Sequence, residues 1–214
     1  MNLLPVIETA RLLLTIPQVG AAQRLLAYAT ENDAHLARWE PPHPDGYFTE
    51  DFWRRRIELN REEFLRDRSM RLAIFRREEP YGPVLGHCNY SNFIRGAFHA
   101  CYLGYSVDHR WEGKGVMTEA LKAANAYVFR SLQMHRIMAN YIPTNERSGK
   151  LLRRLGFVVE GYARDYLYIG GAWRDHVLTA LTSPTRPRRR RTSDPSRLHL
   201  RVLAAERAST RGRP

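Results

Sequence analysis

Residues 109–115 read HRWEGKG, and VMTEALKAANAYVF follows at 116–129. Gly113 and Gly115 stand three and five positions after Arg110, and apolar residues then recur at helical spacing. The first N–H groups of a helix have no partner inside it, and the helix dipole adds roughly half a positive charge at the same end. Glycine lets the backbone approach an anion closely there. The stretch therefore fits a phosphate seated at a helix start. It is too short for GxxxxGK[ST], Lys114 lies between its glycines, and it is not GxGxxG, so neither standard nucleotide loop describes it. By spacing alone, a plain turn from strand to helix remains open.

The flanking segments place the turn. HACYLGYSV (99–107) reads as the strand before it, and the helix after it runs to about Arg130. HRIMANYI (135–142) reads as another strand. TNERSGKLLRRLG (144–156) reads as a helix that stops at Gly156. FVVEGYARDYLYIGGAWRDHVLTALT closes with two strands around Gly170-Gly171. Upstream, residues 9–17 form a strand with Leu12, Leu14 and Ile16 on one face, and 18–39 a helix. The Pro-rich EPPHPDG (40–46) is a loop. Thr49 is placed to cap a helix reaching about Asp67, and strands follow at 70–77 and 84–94. This order gives an α/β fold whose sheet mixes parallel and antiparallel pairs.

The chain of 214 residues is long enough for one domain with a sizeable core. No apolar run reaches membrane-spanning length, and the start lacks the features of a signal peptide. Cys88 and Cys101 show no metal-type or redox spacing, so two reduced, buried thiols in a cytoplasmic protein are expected. The eight histidines form neither HxxxH nor HExxH, and no metal site is expected. The net charge of +12 is uneven: residues 183–214 hold ten arginines against Asp194 and Glu206, a net of +8. The boundary is therefore set at a domain of 1–183 and a basic, disordered extension of 184–214.

Arg-x-x-Gly-x-Gly between a strand and an amphipathic helix resembles the coenzyme A pyrophosphate loop of the GNAT superfamily of N-acetyltransferases. ANYIPTNERSGKLLRRLGF resembles the N-x-x-S…GF segment of that superfamily, and the final strand pair also matches. SNFIRGAFHACYLGYS, HRIMANYIPTNERSGKLLRRLGF and WRDHVLTALT look closest to the RimJ-type ribosomal-protein-alanine N-acetyltransferases. The resemblance covers about residues 8–183. It implies a GNAT fold, with six to seven strands, helices on both faces and a splayed cleft for acetyl-CoA. It implies an acceptor too: the N-terminal alanine of the fifth small-subunit ribosomal protein.

The resemblance also implies roles. Tyr105, Ser106 and Val107 on the strand, with a bulge expected at Gly104, pair with the pantetheine arm. Arg110, Trp111, Glu112, Gly113, Lys114, Gly115 and Val116 form the pyrophosphate turn, with backbone amides making the main contacts. Asn145 touches the cofactor arm, and Ser148 lies near the thioester sulfur as proton donor to the leaving thiolate. Backbone N–H near Tyr105 is placed to polarise the acetyl carbonyl. An α-amine has a pKa of about 8, so the base has modest work. Glu40, just before the Pro-rich loop, is the first candidate, with Asp165 and Asp175 as rivals. A related branch has a glutamate where this chain has Leu167, which leaves the base open. Each of these residues also has a plain reading as a solvated or structural side chain.

Tyr102, Tyr105, Tyr162, Tyr166 and Tyr168 are expected either to line a peptide groove or to form cross-strand pairs. The Arg188–Arg191 run suits ribosomal RNA phosphates or plain solvation. A monomer or weak dimer is expected. Acetylation of another protein or small amine, and an RNA-binding ribosome-assembly role, stand as competing readings.

Overall fold

The computed structural model describes residues 4–184; the Arg188–Arg191 run and all but the first residue of the extension lie outside them. Eight strands and four helices alternate along the chain. They are β1 (Val6–Glu8), β2 (Leu12–Thr15), α1 (Ala22–Leu36), α2 (Glu50–Leu65), β3 (Met70–Arg76) and β4 (Gly86–Ile94). Then follow β5 (Ala100–Val107), α3 (Val116–Arg130), β6 (Arg136–Tyr141), α4 (Glu146–Arg154), β7 (Val158–Ile169) and β8 (Ala172–Thr182). The strands form one sheet in the order β1-β2-β3-β4-β5-β6-β8-β7, with β5–β6 as its parallel pair.

The strand count exceeds the expected six to seven because a short strand, Val6–Glu8, precedes the stretch 9–17, of which Leu12–Thr15 is strand. The Thr9 hydroxyl accepts from Leu12 N–H at 2.9 Å and donates to Leu12 O at 3.3 Å. That local bonding closes a turn, so β1 folds back antiparallel on β2, with Val6 opposite Thr15.

Each helix buries one stripe. On α1 it comprises Ala22, Leu25, Tyr28, Ala29, Asn32 and Leu36; on α2, Trp53, Ile57, Asn60 and Phe64. These two helices cover Ala73 and Phe75 on one sheet face. The α3 stripe, with Val116, Ala120, Leu121, Ala124 and Val128, packs with Leu152 of α4 on the other, against Leu72, Ile74, Cys88 and Ile137. Both cysteines are buried and unbridged.

Local signals hold where the chain reads itself. The Thr49 side chain accepts from Phe52 N–H and caps α2. Gly170 and Gly171 both take positive φ, at 57° and 77°, in the two-residue turn between β7 and β8.

The decisive feature is a split in the sheet. β5 and β6 pair only through Ala100–Arg136, Cys101–Ile137 and Tyr102–Met138. Beyond Tyr102, β5 stays on β4, with Gly86 opposite Val107, while β6 stays on β8, with Tyr141 opposite Val177. The bulge expected at Gly104 is not there: Gly104 pairs regularly with Asn89. The irregularity lies on β4 between Ser91 and Ile94, where Asn92 takes φ of 52°.

Candidate active site

The split opens a cleft of about 1190 Å3 that runs between β5 and β6 and under α1 and α2. Its β5 wall carries unpaired backbone. Asp108 N–H bonds Leu85 O on the β4 side, whereas His99 O accepts from Arg136 N–H on the β6 side. Hydrogen bonding alternates along an antiparallel pair. The N–H and C=O groups of Leu103, Tyr105 and Val107 therefore face the opening, as a strand edge faces an extended ligand.

At the end of β5 the chain enters the glycine turn. Gly113 and Gly115 have φ of 72° and 78°, a region that disfavours any side chain. Gly115 caps α3 in the left-handed conformation with no side-chain bond to the helix start. The first N–H groups of α3 are thus left for an anion. Trp111, Glu112, Gly113, Gly115 and Val116 line the cleft.

Arg110 is held elsewhere than expected. Its guanidinium grips Asp108 at 2.5 Å and Glu31 at 2.6 Å, and Asp108 also accepts from Arg110 N–H at 2.8 Å. Asp108 is 1% exposed. Burial alone would raise its pKa, but the bonds from Arg110 outweigh it and hold the carboxyl below its usual range. Asn32 of α1 accepts from the His109 backbone N–H at 3.0 Å. Arg110 therefore braces the turn against α1 instead of lining the cleft. Lys114 also stays off the lining, its ammonium lying 5.0 Å over the Trp111 ring.

Opposite β5, Asn145 caps α4 by accepting from Ser148 N–H at 3.1 Å. The cap aims the first turn of α4 at the split, and the Ser148 hydroxyl meets that of Tyr105 at 2.7 Å. Burial pushes the Tyr105 phenol up to about 12, so it stays protonated. At the mouth, Glu112 accepts from His35 at 3.0 Å and pairs with Arg147 of α4, joining the turn to both flanking helices.

Of the three carboxylates weighed as base, Glu40 alone lines the cleft. Burial raises its pKa above the usual carboxylate range, against the opposing pull of His43 and Ser106. Ser106 in turn accepts from the Tyr28 hydroxyl at 3.0 Å. Asp165 and Asp175 lie outside. Asp165 sits in a bulged stretch of β7 with φ of 48°, and its N–H bonds Asp175 at 2.9 Å. Asp175 also accepts from Tyr162 at 2.6 Å, so the pair ties an exposed bend together. Leu167 lines the cleft, as do Tyr102, Tyr105 and Tyr166, whereas Tyr162 and Tyr168 do not.

Sequence reading missed the residues behind these: Tyr28, Asn32, His35, Asp108 and Arg147. One signal was available, because Asn32 interrupts the apolar stripe of α1 and a buried polar side chain needs a partner.

A strand edge opened by a split sheet, leading to a glycine turn at a helix start, defines a class. The chain belongs to the GNAT acetyltransferases: the family model described as acetyltransferase (GNAT) domain matches residues 11–158. It is an N-acetyltransferase. It is 47% identical over 178 residues to the [ribosomal protein uS5]-alanine N-acetyltransferase of Escherichia coli, covering 83% of this chain and 91% of that enzyme. Its fold matches the ribosomal-protein-S5-alanine acetyltransferase of Vibrio fischeri at a TM-score of 0.80, with 36% identity over 86% of this chain and all of that one. It also matches Mycobacterium smegmatis RimJ, solved in complex with CoA-disulfide, at a TM-score of 0.75. Identity there is 26%, over 95% of this chain and 94% of that one.

Proposed function

We propose that this enzyme transfers the acetyl group of acetyl-CoA to the N-terminal alanine amine of ribosomal protein uS5. The observation that carries the reading is the 47% identity to the uS5-alanine enzyme, which extends over nearly all of that relative. The geometry supports it. The free edge of β5 suits the pantetheine arm, and the amides from Gly113 to the start of α3 suit the pyrophosphate.

In this reading the amine nitrogen attacks the acetyl carbonyl carbon and the carbon–sulfur bond breaks. N–H near Tyr105 supports the charge that develops on the carbonyl oxygen. The proton lost by nitrogen passes to Glu40, whose raised pKa suits a base working on an amine. The departing thiolate takes a proton from Ser148, which the Tyr105 hydroxyl can replenish.

The cleft lining speaks against a polycationic small-molecule acceptor. Arg38, Arg56, Arg71, Arg147, Lys150 and Arg154 outnumber Glu40 and Glu112 there. A ribosomal acceptor puts the reaction in the cytoplasm. The Arg188–Arg191 run then serves as a contact to ribosomal RNA, and the enzyme acts as a monomer or weak dimer.

Intact-mass analysis of ribosomal proteins from a strain lacking this gene is the test. One small-subunit protein should become lighter by one acetyl group, and reintroducing the gene should restore it. An unchanged set of masses would overturn the assignment.

A further inference from the structure

The cleft extends well past the reacting groups, beneath α2, and that extension is built from polar side chains. Register aligns two rows across the sheet. Arg71 of β3 lies opposite Asn89 of β4, which lies opposite Gly104 of β5; Ala73, His87 and Ser106 form the next row. The open space over Gly104 leaves a path from the split to Asn89 and Arg71. The roof is one face of α2, where Trp53, Arg56 and Asn60 recur at helical spacing and line the same cleft.

This floor and roof hold polar atoms that make no hydrogen bond among the described residues. Trp53 Nε1, Asn60 Oδ1, Arg71 Nε and His87 Nε2 are all buried without a hydrogen-bond partner. Such atoms are rare in folded proteins, because leaving a buried polar group unpaired is costly. Trp53 Nε1 and Arg71 Nε are obligate donors, whereas Asn60 Oδ1 only accepts and would not pair with a carboxylate. His87 stacks with Trp53, with ring centroids 6.4 Å apart, and burial lowers its pKa to about 4, so it is neutral. Arg71 Nε has one carboxylate near it, Glu63, at 3.7 Å, beyond hydrogen-bond reach, and Arg56 adds a second positive charge beside it.

We infer that this pocket between α2 and strands β3 and β4 receives the carboxylate side chain of an aspartate or glutamate near the N-terminus of the acceptor peptide. A carboxylate accepts from several donors at once, as Trp53 Nε1 and Arg71 Nε require, and its negative charge answers the positive charge of Arg56 and Arg71. Arg71 lies two strand spacings from Gly104, roughly 10 Å. An extended peptide covers that distance in about three residues. The acidic residue therefore falls within the first four of the acceptor. The inference rests on the reading of the enzyme as a protein N-terminal acetyltransferase, and it adds what that enzyme reads beyond the amine.

The test is steady-state acetylation by the full chain of synthetic peptides beginning with alanine. The peptides are identical except for glutamate or glutamine at position two, three or four. At one position the change to glutamine should raise KM about tenfold with little change in kcat, the size expected for one charge-assisted hydrogen bond. In an Arg71→Gln variant, with its melting temperature checked, the preference should collapse towards one. Equal kcat/KM for both peptides at all three positions of the wild-type enzyme overturns the pocket and leaves N-terminal acetylation standing. So does an Arg71→Gln variant that keeps the preference. Acetylation of none of the peptides overturns both readings. The wild-type comparison needs no variant to fold.

Discussion

The Tyr105 hydroxyl on β5 meets the Ser148 hydroxyl on α4 at 2.7 Å, joining the two walls of the split sheet. In the proposed reaction a thiolate leaving in that gap takes its proton from Ser148, with Tyr105 directly behind it. Ser148→Ala should lower kcat by about 100-fold, the ordinary size of a lost proton transfer, with KM for acetyl-CoA nearly unchanged. Tyr105→Phe keeps the ring and should have the smaller effect. Steady-state kinetics on both variants separates proton donation from binding.

Glu40 gives a pH signature. Burial raises its pKa, so with Glu40 as the proposed base the active form is lost to protonation at a pH above the usual carboxylate range. The acid limb of kcat/KM should show this ionisation as well as that of the peptide amine. Glu40→Gln should lower kcat/KM by about 100-fold and leave only the amine ionisation. The same raised pKa means that ionised Glu40 weakens the fold at neutral pH. Glu40→Gln should therefore melt no lower than the wild type at pH 7, a readout opposite to that of a structural carboxylate.

Asp108 is the opposite case. Its pKa is depressed by the Arg110 bonds in spite of burial. It contributes stability above its unfolded pKa of about 4, and loses it as pH falls below that value. Asp108→Ala should destabilise the enzyme by about 3 kcal/mol at pH 7, from the lost charge-assisted bonds to Arg110 and the freed Asn32. It should also raise KM for acetyl-CoA, because the turn loses its brace to α1. Chemical denaturation at pH 7 and pH 3.5 should show the gap between variant and wild type narrowing on acidification.

Removing residues 184–214 should leave acetylation of a short free peptide intact. If the arginine run contacts ribosomal RNA, the truncated enzyme should lose activity on assembled ribosomal particles, and high salt should weaken the full chain towards the same level. Loss of peptide activity on truncation at low salt would move the domain boundary into the extension.

Some elements were legible because their cause lies within a few residues. Thr49 caps the helix it precedes, and the Gly170-Gly171 pair makes its own turn. Gly113 and Gly115 announce left-handed backbone beside a helix start. The strand read over 9–17 shrinks to Leu12–Thr15, and Val6–Glu8 goes unread because three residues are too few to show an alternation. The Thr9–Leu12 bonding and the antiparallel register show that β1 folds back on β2.

The sequence by itself determined the mixed α/β order, the glycine turn before α3 and the set of polar side chains available to the cleft, since these depend on local backbone conformation and on side-chain type. Tertiary structure decided which of those side chains meet. It put Glu40 in the cleft and Asp165 on an outer bend, and turned Arg110 to Asp108 and Glu31 as a brace. It also parted β5 from β6 after Tyr102, bringing Ser148 to Tyr105 across 43 positions of chain. Pairing between distant segments is set by strand register and by which face each strand buries, and neither is written in any local stretch.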